Sequence, residues 1–360
     1  MMRKPAALVL SLFLLGGGSI VPPVQAQSAA SIDKQVTTLL KEGRQRVDAK
    51  DFSGALNAYQ QAAALDNKNA KIFSGIGYLQ ASQGNYRAAV DAYQRAIALD
   101  SQNADFHYAL GYSLANLNDN SGAIAAYRRS TQLNPKLLNA HLGLGVMQSR
   151  MGDVNGAITT YRQVTTLDPK NAKSYELLGG LLLQRDRPQE ALEVLQKAAT
   201  LAPRRADTQV YLGIAWLSLG KQAEGLAAFR RAAQLEPSNA ELQLQVGKIW
   251  KAQGDSASAI QAFQRAVSLK PSLVEAQALV GDTYMAQQDF LSAIITYRRL
   301  VTLAPDNPQS HYKLAEALRS RSRIQEAIES FEQAKRLYQQ QAQGNRVQDI
   351  DKILKELKKS

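Results

Sequence analysis

The side chains able to do chemistry are few, and their spacing is regular. His107, His141 and His311 are the three histidines of 360 residues; His141 follows His107 by 34 residues, and His311 follows five further steps of the same length. Zinc takes three or four such ligands. Two histidines one period apart, with Asp105 and Asn139 near them in sequence, therefore point to repetition rather than to a metal centre. Glu176 and Glu241 are far apart along the chain, with no geometry for paired acid/base work. There is no phosphate-cradling glycine loop, no HExxH and no GxSxG turn. The chain has no cysteine, which excludes a disulfide scaffold, thiolate zinc sites and a cysteine nucleophile. The expectation is a binding protein with no catalytic residue, no metal and no cofactor.

Residues 1–26 have the make-up of an export signal. Arg3 and Lys4 form the charged start, Ala6 to Leu15 the apolar run, and Val24-Gln25-Ala26 a small-residue cleavage site. The run is short of the roughly 20 residues that span a bilayer, and Gly16 to Gly18, Pro22 and Pro23 break it. Gln27 is the expected mature N-terminus; the alternative is an uncleaved anchor in the same compartment. No cysteine follows for lipid attachment. The formal charge of +12 becomes +10 without Arg3 and Lys4.

From Val36 the chain repeats every 34 residues, with units beginning at Val36, Ala70, Ala104, Leu138, Ala172, Ala206, Ala240, Val274 and Pro308. The eighth position of each unit is glycine from Gly43 to Gly281 and Ala315 in the last. Glycine costs a helix up to about 1 kcal/mol against alanine, so its periodic use predicts a site where a side chain would strike a neighbouring helix. The twentieth position is alanine, with Gly225 as the exception. The twenty-fourth holds Tyr59, Tyr93, Tyr127, Tyr161, Leu195, Phe229, Phe263, Tyr297 and Phe331. Pro135, Pro169, Pro203, Pro237, Pro271 and Pro305 end six units and stop the second helix. Gly84-Asn85, Gly152-Asp153 and Gly254-Asp255 mark turns between helices.

This pattern resembles the tetratricopeptide repeat, a 34-residue helix-turn-helix. The signature residues are Leu110-Gly111, Ala123, Tyr127 and Pro135 in one unit, and Leu144-Gly145, Ala157, Tyr161 and Pro169 in the next. Ala315 and Gly225 depart from it, and the family's early tryptophan is mostly missing. The resemblance implies an all-α, right-handed α-solenoid of nine helix-turn-helix repeats, in which stacked units share one apolar core. The domain plan is then a signal over 1–26, a linker over 27–35, repeats over 36–341 and a capping helix over 342–360. In that last segment Val347, Ile350, Ile353, Leu354 and Leu357 recur at spacings of three and four. The competing reading is a free amphipathic helix for a partner or membrane.

In such arrays the first helices line a groove, and the resemblance assigns to it Tyr78, Tyr108, Tyr112 and Asn116, then Leu142, Val146, Glu176, Leu183, Val210, Ile214 and Leu217, then Lys248, Lys251, Asp282, Tyr312 and Glu316. Tyrosines supply contact area with a polar tip, and the aliphatic stretch accepts apolar side chains. The lysine and asparagine set that clamps a terminal carboxylate in some relatives is missing: after Lys41 and Arg44 the matching places hold Ser74, Gly75, Tyr78, Tyr108, Ala109 and Tyr112.

Two adjacent second-helix positions carry Arg95, Arg128, Arg129, Arg162, Lys197, Arg230, Arg231, Arg265, Arg298 and Arg299, as many charges as the mature excess. Recurring each period, they form a basic ridge. It suits an acidic partner or an anionic membrane surface, or it is a solvated face paired with scattered carboxylates. The pattern argues against nucleic acid, because no stacking aromatics are interleaved and the expected leader directs the chain out of the cytoplasm. The leading expectation is an exported, periplasmic or lumenal, non-enzymatic scaffold that binds peptide or protein segments in a concave groove during assembly of an envelope or membrane complex. The alternatives are a wall- or carbohydrate-associated protein or enzyme subunit, and a self-associating array.

Overall fold

The computed structural model describes residues 29–359; the expected export signal lies outside them. The chain forms two compact units, Met1–Asp119 and Asn120–Ser360. In the first, the described helices are α1 (Ala29–Asp48), α2 (Phe52–Leu65), α3 (Ala70–Ser82), α4 (Tyr86–Leu99) and α5 (Ala104–Asn116). In the second they are α6 (Asn120–Leu133), α7 (Leu138–Arg150), α8 (Val154–Leu167), α9 (Ala172–Gln184), α10 (Pro188–Leu201), α11 (Ala206–Ser218), α12 (Gln222–Leu235), α13 (Ala240–Ala252) and α14 (Ser256–Leu269). Then follow α15 (Val274–Ala286), α16 (Phe290–Leu303), α17 (Pro308–Ser320), α18 (Ile324–Gln340) and α19 (Gly344–Leu357). Among the described residues there is no strand. Helix α1 starts at Ala29, so most of the segment expected as a linker over 27–35 is instead the opening of that helix. No described helix is long and apolar enough to cross a membrane.

Within each unit, the two helices of a repeat pack as an antiparallel hairpin, and the second helix also packs on the first helix that follows. The hairpins are started by short polar caps. Asn239 Oδ1 accepts from the Leu242 N–H at 3.0 Å, and Asp255 Oδ1 from the Ser258 N–H at 3.0 Å; such caps contribute about 1 kcal/mol each. The fifteenth position of all nine repeats takes a left-handed backbone. Gly84, Gly152, Gly220 and Gly254 adopt it freely; Lys50, Asn118, Asp186, Gln288 and Ser322 hold it as non-glycines.

The close approach predicted at the eighth position is that of the hairpin's own large residue. A Cβ on Gly43, Gly77, Gly213 or Gly247 would stand 2.6, 2.8, 2.6 or 2.6 Å from the ring of Tyr59, Tyr93, Phe229 or Phe263. The ring is pressed from the far side as well: a Cβ on Gly143 would be 2.5 Å from Tyr127 of the preceding repeat. Tyr59, held between Gly43 and Gly75, likewise fills the space between two successive first helices. In unit two the stack ends on α19, where Ile350 and Leu354 are buried in the cluster of Phe331, Ala334 and Tyr338. Ion pairs from Lys335 to Asp351 and from Lys358 to Glu332 fasten its polar edge. The segment expected to cap the array does so.

Candidate functional site

The ninth position of the first helix faces outward from this core. In unit one it carries Tyr78 on α3 and Tyr112 on α5, 53% and 46% exposed. Tyr112 meets the Tyr86 ring edge-on at 6.3 Å, and Tyr108 lies one turn before it, half-buried. Burial pushes the Tyr93 hydroxyl well above the usual phenol range, and the neighbouring hydroxyls of Tyr78 and Tyr108 add to the rise. Asn116 is exposed, but its side-chain amide donates back to the Tyr112 carbonyl at 2.8 Å.

In unit two the same position runs through Val146 on α7 and Ile214 on α11, 42% and 36% exposed. Between them stands Gly180 on α9, where a Cβ would meet the Tyr211 ring at 3.1 Å. Tyr211 is a wall residue that the sequence reading missed; the glycine in an otherwise side-chain-bearing series was its signal. Leu142, Leu183, Val210 and Leu217 are half-buried against the core and offer only their edges.

Farther on, the surface becomes charged and internally paired. Lys248 binds Glu275 at 2.5 Å, while Lys251 is exposed. Asp282 accepts from the Tyr297 hydroxyl at 2.6 Å and from Lys313. It ties one repeat to the next rather than standing free for a guest. Tyr312 packs edge-on against Phe331 at 5.5 Å, and Glu316 pairs with Arg319 at 2.9 Å.

Glu176 is the clear correction to the expected groove. It is fully buried and accepts from Arg205 Nε at 2.7 Å, Arg205 Nη2 at 3.0 Å, Lys173 Nζ at 2.6 Å and Thr208 Oγ1 at 2.6 Å. Burial pushes its carboxyl up, but these hydrogen bonds outweigh burial and hold it lowered to about 2. A buried charge is tolerable only with such partners. Its donors, Arg205 and Thr208, come from the next junction in the stack, which no local pattern announces.

The ridge is paired in part. At position 25, Arg162 bonds Glu190 at 2.6 Å, and Arg187 grips the same carboxylate. Arg298 and Arg323 hold Glu326 in the same way at 2.7 and 2.5 Å, and Arg230 reaches Asp255 at 3.5 Å. At position 26, Arg95 lies 5.5 Å over the Phe73 ring, and Arg265 Nε donates to the Pro237 carbonyl at 2.9 Å. Among the described residues, no carboxylate is within ion-pair distance of Arg128, Arg129, Lys197, Arg231 or Arg299.

The histidines are structural. Nε2 of His107, His141 and His311 lies 3.1, 3.0 and 2.8 Å from the carbonyls of Ser101, Pro135 and Pro305. A carbonyl only accepts, so Nε2 carries the proton and each ring latches a first helix to the turn before it. Among the described residues no cluster of three His, Asp or Glu side chains could hold a metal ion.

Comparison with known proteins agrees with this construction. A TPR repeat model matches residues 43–84 and 77–118, and tetratricopeptide repeat models match 104–137, 142–206, 211–274 and 278–342. No curated protein matches the sequence significantly. Similar solved structures include YrrB, described as a TPR protein with an unusual peptide-binding site, at 20% identity, covering 52% of this chain and 96% of that one with a TM-score of 0.44. A MamA fragment from Desulfovibrio magneticus is 22% identical, covering 47% and 96% with a TM-score of 0.44. A tetratricopeptide repeat protein from Parabacteroides merdae is 18% identical, covering 69% and 99% with a TM-score of 0.48.

Proposed function

The chain belongs to the tetratricopeptide repeat family, whose repeats are a non-catalytic protein-interaction module, and from that premise we propose that it is an exported scaffold holding an extended protein segment against its first helices while an envelope or membrane complex assembles. The observation that carries the reading is the ninth position. Tyr78 and Tyr112 in unit one, and Val146 and Ile214 in unit two, are large, stand at the same register position and remain exposed. Apolar surface kept out of the core in a repeated row is contact surface. The tyrosine part in unit one suits a segment with backbone oxygens and amides for the phenol tips; the aliphatic part in unit two suits apolar side chains. Export rests on the leader over 1–26.

The test is crosslinking and co-purification from the native compartment. The expected result is a reproducible protein partner that is lost when Tyr78→Ala and Tyr112→Ala are combined, with helical content unchanged. Retention of the partner in that variant, together with its loss on Arg129→Ala and Arg299→Ala, would move the contact to the ridge and overturn the reading.

A further inference from the structure

A cleft of about 770 Å³ opens between α12 and α14, with α13 beneath it, a size within the range of roughly 300–1,000 Å³ typical of ligand sites. It lies at a wide junction: the backbones of α12 and α13 approach less closely than those of any other second helix and the first helix that follows it within its unit. The C-terminal end of α12 is held by borrowed hydrogen bonds. The Ala233 carbonyl would bond the N–H four residues on, but that residue is Pro237, which has none; Gln243 Nε2 supplies the donor at 3.1 Å. Arg265 Nε then holds the Pro237 carbonyl at 2.9 Å.

The lining is rich in donors that the protein leaves underused. Arg230 has only Asp255, at 3.5 Å, whereas Arg162 and Arg298 grip their carboxylates at 2.6 and 2.7 Å. Asp255 is itself engaged in capping α14. Trp250, in the cleft lining, is 6% exposed, and its buried indole N–H has no acceptor. Of the buried side-chain atoms without a partner, it is the one that can only donate. An unmet buried donor is a standing cost to the closed cleft, and an incoming acceptor removes it.

We propose that this cleft is a second binding site, separate from the first-helix groove, for an acidic peptide segment. Its carboxylates bind the guanidinium groups of Arg230 and Arg265, where charge-assisted hydrogen bonds are strongest. The Gln234 side-chain amide offers both a donor and an acceptor, and Gln264, whose Nε2 already donates to the Tyr284 hydroxyl at 2.7 Å, adds its Oε1 as an acceptor; acceptors beside donors match peptide bonds and select a peptide over a phosphate surface. Water does not reach the Trp250 N–H, so binding includes a small parting of α12 from α13, whose backbones already stand wide. An oxygen of the peptide then accepts from that N–H.

The chain has two tryptophans, so Trp216→Phe leaves Trp250 as the sole indole reporter. Titrating this variant with a hexaglutamate peptide is expected to change the Trp250 emission saturably, with Kd raised at least tenfold for hexaglutamine and at least fivefold by Arg230→Ala, which gives up only the long pair to Asp255. Arg129→Ala with Arg299→Ala is expected to leave Kd unchanged. The proposal is overturned by the absence of a saturable change into the millimolar range, by equal affinity in Arg230→Ala, or by an equal loss on removing Arg129 and Arg299. Saturable binding to phosphatidylglycerol vesicles that displaces the peptide would assign the cleft to a membrane and overturn it too.

Discussion

Two junctions in the second unit solve the same packing problem in opposite ways. Where α9 meets α11, Glu176 is sealed in and every oxygen is occupied by Lys173, Arg205 or Thr208. One repeat later the corresponding three positions hold Val210, Asn239 and Leu242, and Leu242 is buried in an apolar cluster. There the backbones of α12 and α13 stand wide, and Trp250 keeps an unanswered N–H. The 34-residue period fixes where helices lie, while the side chains at a few register positions decide whether a junction closes or stays open. A polar group in a junction strengthens it only when all its partners arrive.

The largest expected effect breaks the sealed junction. Glu176→Gln removes the charge that Arg205 and Lys173 share. The lowering of the Glu176 carboxyl from 4.5 to about 2 corresponds to about 3 kcal/mol at neutral pH. Arg205 and Lys173 retain contact with water, 36% and 51% exposed, and this screening reduces the expected loss to roughly 2 kcal/mol. The folded chain holds this proton less tightly than the unfolded chain. Its contribution is therefore complete above about pH 4.5 and is lost as the pH falls toward 2. Urea unfolding at pH 7 and pH 3 checks both points: the difference between wild type and Glu176→Gln should shrink at the lower pH. An unchanged difference would detach the junction's strength from this carboxylate.

A smaller effect compares the hairpins on either side of the open junction. Gly213→Ala and Gly247→Ala each place a Cβ 2.6 Å from a phenylalanine ring, Phe229 and Phe263. Overpacking of this kind costs about 1–3 kcal/mol. Thermal unfolding should show the smaller loss for Gly247→Ala if the wide α12–α13 junction lets repeat seven yield; equal losses would show that the strain stays within each hairpin. The smallest effect concerns the turns. Asp186, beyond the sealed junction's first helix, holds φ 54° where repeat seven has Gly254 at 80°. Asp186→Gly is expected to gain, and Gly254→Ala to lose, about 0.5–1 kcal/mol, read as opposite shifts in the urea midpoint.

Much of this was legible in the chain. Gly43 to Gly281 announced the close contact because a helix tolerates periodic glycine only where space demands it, and the heptad-like spacing of Ile350 and Leu354 announced the cap because a final hairpin must cover its stacking face. The candidate groove was legible in part. Tyr78, Tyr112, Val146 and Ile214 stand exposed where register placed them, but Glu176 and Asp282 share their helical face and are consumed by Arg205, Thr208, Tyr297 and Lys313. Those partners lie 15 to 32 residues away, beyond the reach of any helical periodicity. The ridge was legible as a row of charge, but not in which members pair: Arg162, Arg230 and Arg298 reach carboxylates, while Arg128 at the same register does not.

The sequence by itself determined the repeat length, the helix hairpins, the core residue of each and the charge recurring along the second helices, because these follow from local sterics and a period of 34. Only the tertiary structure decided which junctions seal, which groove side chains remain free and which arginines have no carboxylate. Those outcomes depend on distances between groups from neighbouring repeats, where a change of one side chain alters the fit without altering the period.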